Sequence, residues 1–396
     1  MPENIIDVRI NNTLSIINTI RFTDSYTKKD ISQKLGLSFA TVSNTCNELK
    51  ERNVLIEREV SGSNAGRSNV GRSPKNILLN YSHFLAGCFD FHIQNTVTLA
   101  LYDLRDEQVA EKTFIYDTGT EAGELISLCH KMFLEVLDDH QLTDKNIYGV
   151  GVAVPAVYQS ETGLTIASGF EVFDNQPVKK YFEDIFHIPA FVDNESNLGA
   201  LATMVFQSAG HNENLIYLFV SEGLGLGVIN KGKVLTGAHG AAGEICHIPI
   251  GSEDFVCKLC GQRGCVESDL SIRGFLTSFY GETDSRANIA ELWVKFVKKV
   301  HKGDGRAIAV VRDKAALMGR LISVLVNLLD PNAICIGGEI KSLFDLIYPD
   351  LVSEMNKRLL IKDARNITIF PDKYTDTILK GCSERAYTEF FPLLVK

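Results

Sequence analysis

Four residues stand out for chemistry they could perform together. His247, Cys257, Cys260 and Cys265 follow the pattern H-x9-C-x2-C-x4-C. One imidazole and three thiolates fill the four tetrahedral positions that zinc prefers. All four ligands come from the protein, so the spacing predicts a structural zinc ion rather than a catalytic one with an open position. Lys258, Gly261, Arg263 and Gly264 interleave with the thiols, supplying tight turns and nearby cations. Cys246 neighbours His247 and reads as a buried small side chain. The other cysteines (Cys46, Cys88, Cys129, Cys335 and Cys382) are scattered, and nine is an odd number. A disulfide framework is therefore not expected.

A second set of side chains suits the floor of a DNA groove. Thr27 and Asp30 have the spacing of a capping box, with Tyr26 and Ile31 as its hydrophobic staple. Gly36 ends that short helix, and Ser38 caps the next, with Leu37 and Val42 as the second staple. Two short helices about a glycine turn predict a helix-turn-helix. On the second helix Val42, Cys46 and Leu49 recur at helical spacing and point inward. Phe39, Ala40, Ser43, Asn44 and Asn47 point outward. These side chains are small, polar or flat, and an asparagine can bond an adenine edge bidentately. Two strands follow, joined by a glycine-rich loop carrying Arg67, Arg72 and Lys75, with no acidic residue between Glu59 and Asp90. Such a wing suits phosphate or minor-groove contact. The expected partner is double-stranded DNA, and so small a head is expected to need a dimer for useful affinity.

The elements that must carry these groups fall into two blocks. Residues 1–80 form the winged head, with 11 Lys and Arg against 8 Asp and Glu. The whole chain of 396 residues has a net charge of −9, so the remainder carries −12. From residue 85 to 396, strands alternate with helices, an α/β pattern, and the cysteine loop (247–265) is inserted within it. LAGCFDF and TVTLALYDL read as paired strands; YGVGVAVP, AFVD, LIYLFVS, LGVIN and AICIGG read as further ones. No run is long and apolar enough to span a bilayer, and the N-terminus does not read as a signal peptide. A cytoplasmic protein without a membrane partner is expected.

The segment GAAGEICHIPIGSEDFVCKLCGQRGCVES resembles the signature of the ROK family (repressors, open reading frames, kinases). Nearly the whole chain shares the likeness, because the repressor branch carries a winged head. One departure is C-x2-C where the family usually has C-x-C. The resemblance implies a two-lobed actin-like fold of the sugar-kinase type, with a small-molecule sugar in the interlobe cleft. It places the sugar contacts on Asn194, Glu195, Glu244, His247 and Glu267. Carboxylates and an amide can chelate vicinal hydroxyls, which both donate and accept. His247 would then serve zinc with one nitrogen and a hydroxyl with the other.

Three departures fall on phosphate chemistry. The family's D-x-G-G-T loop is here Asp90-Phe91-His92-Ile93-Gln94-Asn95, without its glycines. Backbone amides approach phosphates less closely past such side chains. The second loop, Ser221 to Gly227, keeps glycines but places Glu222 where the family has a hydroxyl. The catalytic aspartate of N-D-A-N becomes Glu195, which resembles the xylose-repressor branch. The expectation is a transcriptional repressor without kinase activity. It would bind its operator as a homodimer or dimer of dimers and be controlled by a sugar. The rivals are a bifunctional ATP-dependent sugar kinase with a DNA-binding head, and a regulator controlled by a docked protein.

Overall fold

The computed structural model describes residues 5–59, 75–207, 213–254, 256–257, 260–281, 288–360 and 367–395. The head comprises α1 (Ile5–Ile20), α2 (Lys28–Leu35), α3 (Phe39–Glu51), β1 (Leu55–Glu59) and β2 (Lys75–Leu79). The expected caps are present. The Thr27 hydroxyl accepts from the Asp30 amide, and the Asp30 carboxylate accepts from the Thr27 amide at 2.9 Å. Two donors that a helix start leaves free are thereby satisfied, worth about 1 kcal/mol. Gly36 terminates α2 at φ 66°, and Ser38 caps α3. β1 and β2 pair antiparallel, with Leu55 opposite Leu79. The loop between them, with Arg67 and Arg72, lies outside the described residues. Ile16, Ile17 and Ile20 of α1 close the head's core over Ile31, Val42 and Cys46.

The chain then builds two lobes on one plan. The first contains β3 (Leu85–Asp90), β4 (Thr96–Asp103), β5 (Gln108–Ile115), α4 (Ala122–Asp139) and β6 (Ile147–Val154). It continues through the hairpin β7 (Val157–Gln159) and β8 (Leu164–Ile166), then α5 (Val178–Phe186) and β9 (Ala190–Asn194). α6 (Glu195–Ala202) leads into the second lobe. That lobe opens with β10 (Leu215–Val220), β11 (Leu224–Asn230), β12 (Lys233–Val234), α7 (Glu267–Leu270), α8 (Ile272–Tyr280) and α9 (Ile289–His301). It ends with α10 (Gly305–Leu329), β13 (Ala333–Gly337), α11 (Phe344–Asn356), β14 (Thr368–Pro371) and α12 (Thr377–Val395).

The sheet orders are β5-β4-β3-β6-β9 and β12-β11-β10-β13-β14. Each is an antiparallel three-strand meander extended by two parallel strands. This duplicated plan is the actin-like, two-lobed arrangement. β3, β6, β10 and β13 are buried at every position. Their continuous apolar runs fit strands packed on both faces. β5 is an edge strand with mixed exposure, and its polar-interrupted sequence hid it from the sequence reading.

Two helices join the lobes. α6 packs on β10 and β11 of the second sheet, while α12 lies on β3 and β6 of the first and against α6. Glycines permit these approaches: a Cβ at Gly227 would overlap the Ser196 carbonyl, and one at Gly381 the Leu198 carbonyl. The head docks on the same scaffold. Arg21, just past α1, is 2% exposed. It forms ion pairs with Asp106 of the first lobe and Glu384 of α12, and donates to the Leu104 carbonyl at 2.8 Å. Its guanidinium stacks 3.6 Å from the Tyr387 ring centroid, and the Tyr387 hydroxyl donates to Asn18 of α1 at 2.9 Å. Burial works against the Arg21 charge, but Glu384 and Asp106 outweigh it and hold the cation.

Candidate functional site

The metal-ligating set converges as the spacing predicts. Nδ1 of His247 lies 3.7 Å from Sγ of Cys257 and 3.6 Å from Sγ of Cys265, and the Cys260 and Cys265 sulfurs are 3.5 Å apart. All four ligand atoms lie within 4.8 Å of one another. Ligands about 2.0–2.3 Å from one tetrahedral ion sit roughly 3.5–3.8 Å apart, so the group can hold a metal ion. Isolated bridges from Pro249 to Cys265 and from Val256 to Arg263 fold the loop back on itself. Asp269 of α7 anchors it: one carboxylate oxygen accepts from the Ser252 amide at 2.6 Å, and the other pairs with Lys314 of α10 in a buried ion pair. The sequence offered no signal for that pair, whose members lie 45 residues apart.

Several ionisable side chains of the two lobes sit where strands end. Asp90 is the last residue of β3 and His92 lies two beyond it, Asn194 is the last of β9 and Glu195 begins α6, Glu222 lies two beyond β10, and Glu339 two beyond β13. Carboxyl ends of strands are where open α/β sheets bind ligands. His92 joins the lobes: its Nδ1 lies 2.7 Å from Asp90 of the first, and its ring meets Phe219 of the second edge-on at 5.7 Å. Burial opposes the charge on His92, yet Asp90, with Glu339 and Glu195 beyond, raises its pKa to about 9. Burial pushes Glu195 up to about 8, with Glu244 and Asp90 adding to the effect. Glu244 and Glu267 are also raised by burial. Glu244 acts electrostatically on both Glu195 and Glu267, so the three carboxyl groups of the expected contact set influence one another.

Asn194 has a local task. Its Oδ1 accepts from the Ser196 amide at 2.8 Å, capping α6, and its Nδ2 donates to the Ala156 carbonyl at 3.3 Å. His247 turns Nδ1 toward the thiols, which leaves Nε2 for another partner.

The loops that would meet phosphates are bonded to protein oxygens. The His92 amide donates to Asp90 Oδ1 at 2.9 Å, the Leu224 amide to Glu267 Oε1 at 3.2 Å, and the Ser221 amide to the Gly223 carbonyl at 3.0 Å. Glu222 forms an ion pair with Arg273.

On the head, α3 turns Val42, Cys46 and Leu49 inward, all at most 3% exposed. Phe39 is 57% exposed, Ala40, Asn44 and Asn47 are exposed, and Ser43 is half-buried. Asn47 Oδ1 accepts from Lys28 Nζ at 2.8 Å, so its amide hydrogens remain outward-facing donors.

The architecture is a winged helix-turn-helix set on a two-lobed actin-like body with a cysteine-rich loop. Comparison with known proteins agrees. A match to the ROK family spans residues 94–378, and the chain belongs to that family. It is 28% identical over 382 residues to the xylose repressor of Caldicellulosiruptor bescii, covering 94% of both chains. To the N-acetylglucosamine repressor of Shigella flexneri it is 24% identical over 360 residues, 88% of this chain and 86% of that one. Among solved structures, a ROK family transcriptional regulator described as a homolog of the Escherichia coli MLC protein superposes with a TM-score of 0.80 at 21% identity, covering 98% of each chain. A ROK family glucokinase from Streptomyces griseus, in complex with glucose and AMPPNP, superposes with a TM-score of 0.64 at 18% identity. It covers 76% of this chain and 98% of its own, which shows the shared body fold.

Proposed function

We propose that this protein is a DNA-binding transcriptional repressor whose operator affinity is set by a sugar in the interlobe cleft, and that it does not transfer phosphate. The repressor names of its relatives support the class. The observation that carries the mechanism is the buried Arg21 joint, which fixes the head to both the first lobe and α12. α12 packs on α6, and α6 begins at the cleft residues Asn194 and Glu195. A ligand that favours one lobe arrangement can thereby bias the head's position, provided it binds the two arrangements with different affinity.

In this reading residues 1–80 bind DNA and residues 85–396 sense the ligand. Phe39, Ala40, Ser43, Asn44 and Asn47 enter the major groove, and Arg67 and Arg72 contact the backbone or minor groove. Two chains read two half-sites. Zinc is the metal that fits His247, Cys257, Cys260 and Cys265, and it would hold the loop so that His247 faces the cleft. Asn194, Glu195, Glu244, His247 and Glu267 bind the sugar. The loss of kinase activity rests on the loops: their amides already serve Asp90, Glu267 and Gly223, so a phosphate must displace internal bonds and approach Glu222.

The test has two arms. Footprinting on DNA selected by the full chain should protect paired half-sites. Asn44→Ala should weaken binding by about 1–3 kcal/mol, mainly at one base position, without lowering the melting temperature. A coupled assay with Mg-ATP and a sugar panel should show no turnover. Sustained sugar-dependent ATP consumption would overturn the non-enzymatic reading, and absence of sequence-selective protection would overturn the DNA-binding one.

A further inference from the structure

Asn44 and Asn47 both stand exposed on α3, yet they are not free to offer a base the same groups. Adenine presents an acceptor, N7, beside a donor, the N6 amino group. An asparagine meets that edge with its amide hydrogens and its carbonyl together. Lys28, the first residue of α2, donates from Nζ to Asn47 Oδ1 at 2.8 Å. An ammonium only donates, so it fixes which end of the amide faces it: the oxygen is engaged and the amide hydrogens are left for DNA. No side-chain hydrogen bond fixes Asn44 in this way among the described residues.

Lys28 is itself held in place. Its side chain is 19% exposed, and its Nζ lies 3.8 Å from Oε1 of Glu57 on β1. The same carboxylate meets Lys50 at 2.9 Å and Lys75 at 3.8 Å, so three cations surround one anion and positive charge is left over beside α3. An amino group of adenine or cytosine brought to Asn47 would meet that ammonium at the very oxygen it needs. What the pair has left to give is donors: the Asn47 amide hydrogens and the remaining ammonium hydrogens. Guanine is the base whose major-groove edge offers two acceptors, N7 and O6, and no donor.

We propose that Lys28 is a positioning residue that holds Asn47 as a hydrogen-bond donor, so that Asn47 selects guanine over adenine at one position of each half-site. The proposal rests on the DNA-binding reading and names the base chemistry that this face takes. Lys28 stands outside the groove-facing set expected from the sequence. Asn44, unrestrained, keeps both its groups for an adenine.

Binding of the full metal-loaded chain to duplexes carrying the DNA it selects tests this. Each G·C pair of a half-site is replaced in turn by A·T, and each guanine by 7-deazaguanine, which lacks the N7 acceptor. The expected result is one guanine per half-site at which the change to adenine weakens binding by on the order of tenfold or more, with 7-deazaguanine weakening it too. In Asn47→Ala that penalty should vanish. Lys28→Met keeps the stem and removes the donor, so Asn47 can turn its oxygen outward. The preference for guanine should then shrink at that position alone, and Lys28→Arg should restore part of it. The readout is a ratio of two duplexes within one variant that melts near the parent's temperature, which separates specificity from folding. A lysine that only meets phosphate would, when lost, weaken all sequences alike and lower the salt slope by about 1. That result, with the guanine preference unchanged in Lys28→Met, overturns the proposal, as does a parent chain with no guanine penalty that depends on Asn47. Both outcomes leave sequence-selective DNA binding intact. If the parent distinguishes no sequence at all, the DNA-binding reading fails together with the proposal.

Discussion

Glu195 shows how one residue can link stability to ligand recognition. Burial raises its pKa to about 8, from about 4.3 for a free glutamate. The folded state therefore favours the neutral acid. The stabilisation from that proton is complete below about pH 4.3 and is lost as pH rises through about 8. Glu195→Gln keeps the shape and removes the titration. Its melting temperature should therefore gain on the parent's as pH rises from 5 to 8, and the gain should level off above that. A difference that stays constant across the range would show that Glu195 is not held neutral. Cys257 gives a second test. It is 4% exposed and within 3.7 Å of the His247 ring nitrogen. Cys257→Ser should lower bound zinc to well below one equivalent by elemental analysis and reduce the melting temperature, because the metal contributes folding free energy directly. Full zinc content in the variant would contradict the assigned ligand set. Both residues were legible in the sequence, Cys257 from spacing and Glu195 only from the family resemblance. His92 was legible as a lost glycine. Its partnership with Asp90 and its nearness to Glu339 depend on folding that brings residues from both lobes together.

At the scale of elements, local signals read most clearly. The Thr27–Asp30 capping box, the Gly36 stop and the Ser38 cap are short-range chemistry, and each is present in the structure. The apolar runs of β3, β6, β10 and β13 gave the central strands, whereas the edge strand β5, with polar residues breaking its pattern, did not show. The joint between α1 and α12 was invisible. Arg21 meets partners 85 and 363 residues away, and no periodicity spans such distances. The joint should be costly to break. Arg21→Met leaves Asp106 and Glu384 buried without their cation, and removing one partner from such a group typically costs about 3–5 kcal/mol. Chemical denaturation should show a destabilisation of that size, with the head losing protection from proteolysis before the lobes. A loss below about 1 kcal/mol would mean that the head does not depend on this contact.

For the whole molecule, the question is how a small ligand between two lobes reaches a helix on the head. The geometry offers a continuous route: cleft residues begin α6, α6 packs on α12, and α12 shares Arg21 with the head. Spatial continuity is not itself coupling, which is a free energy between two sites and is reciprocal. The winged head and the metal-ligating cluster could be read in advance from pattern and spacing, and the actin-like plan from the family resemblance. The route could not, because it is made of packing between elements far apart in the chain. The most direct measurement is fluorescence anisotropy of a labelled operator fragment titrated with the full chain, with and without a saturating sugar found by calorimetry. The account predicts a change in operator Kd of roughly 5- to 150-fold, the range of about 1–3 kcal/mol of coupling. It also predicts that the change shrinks in Arg21→Met. A sugar that binds the cleft yet leaves operator Kd unmoved would contradict it.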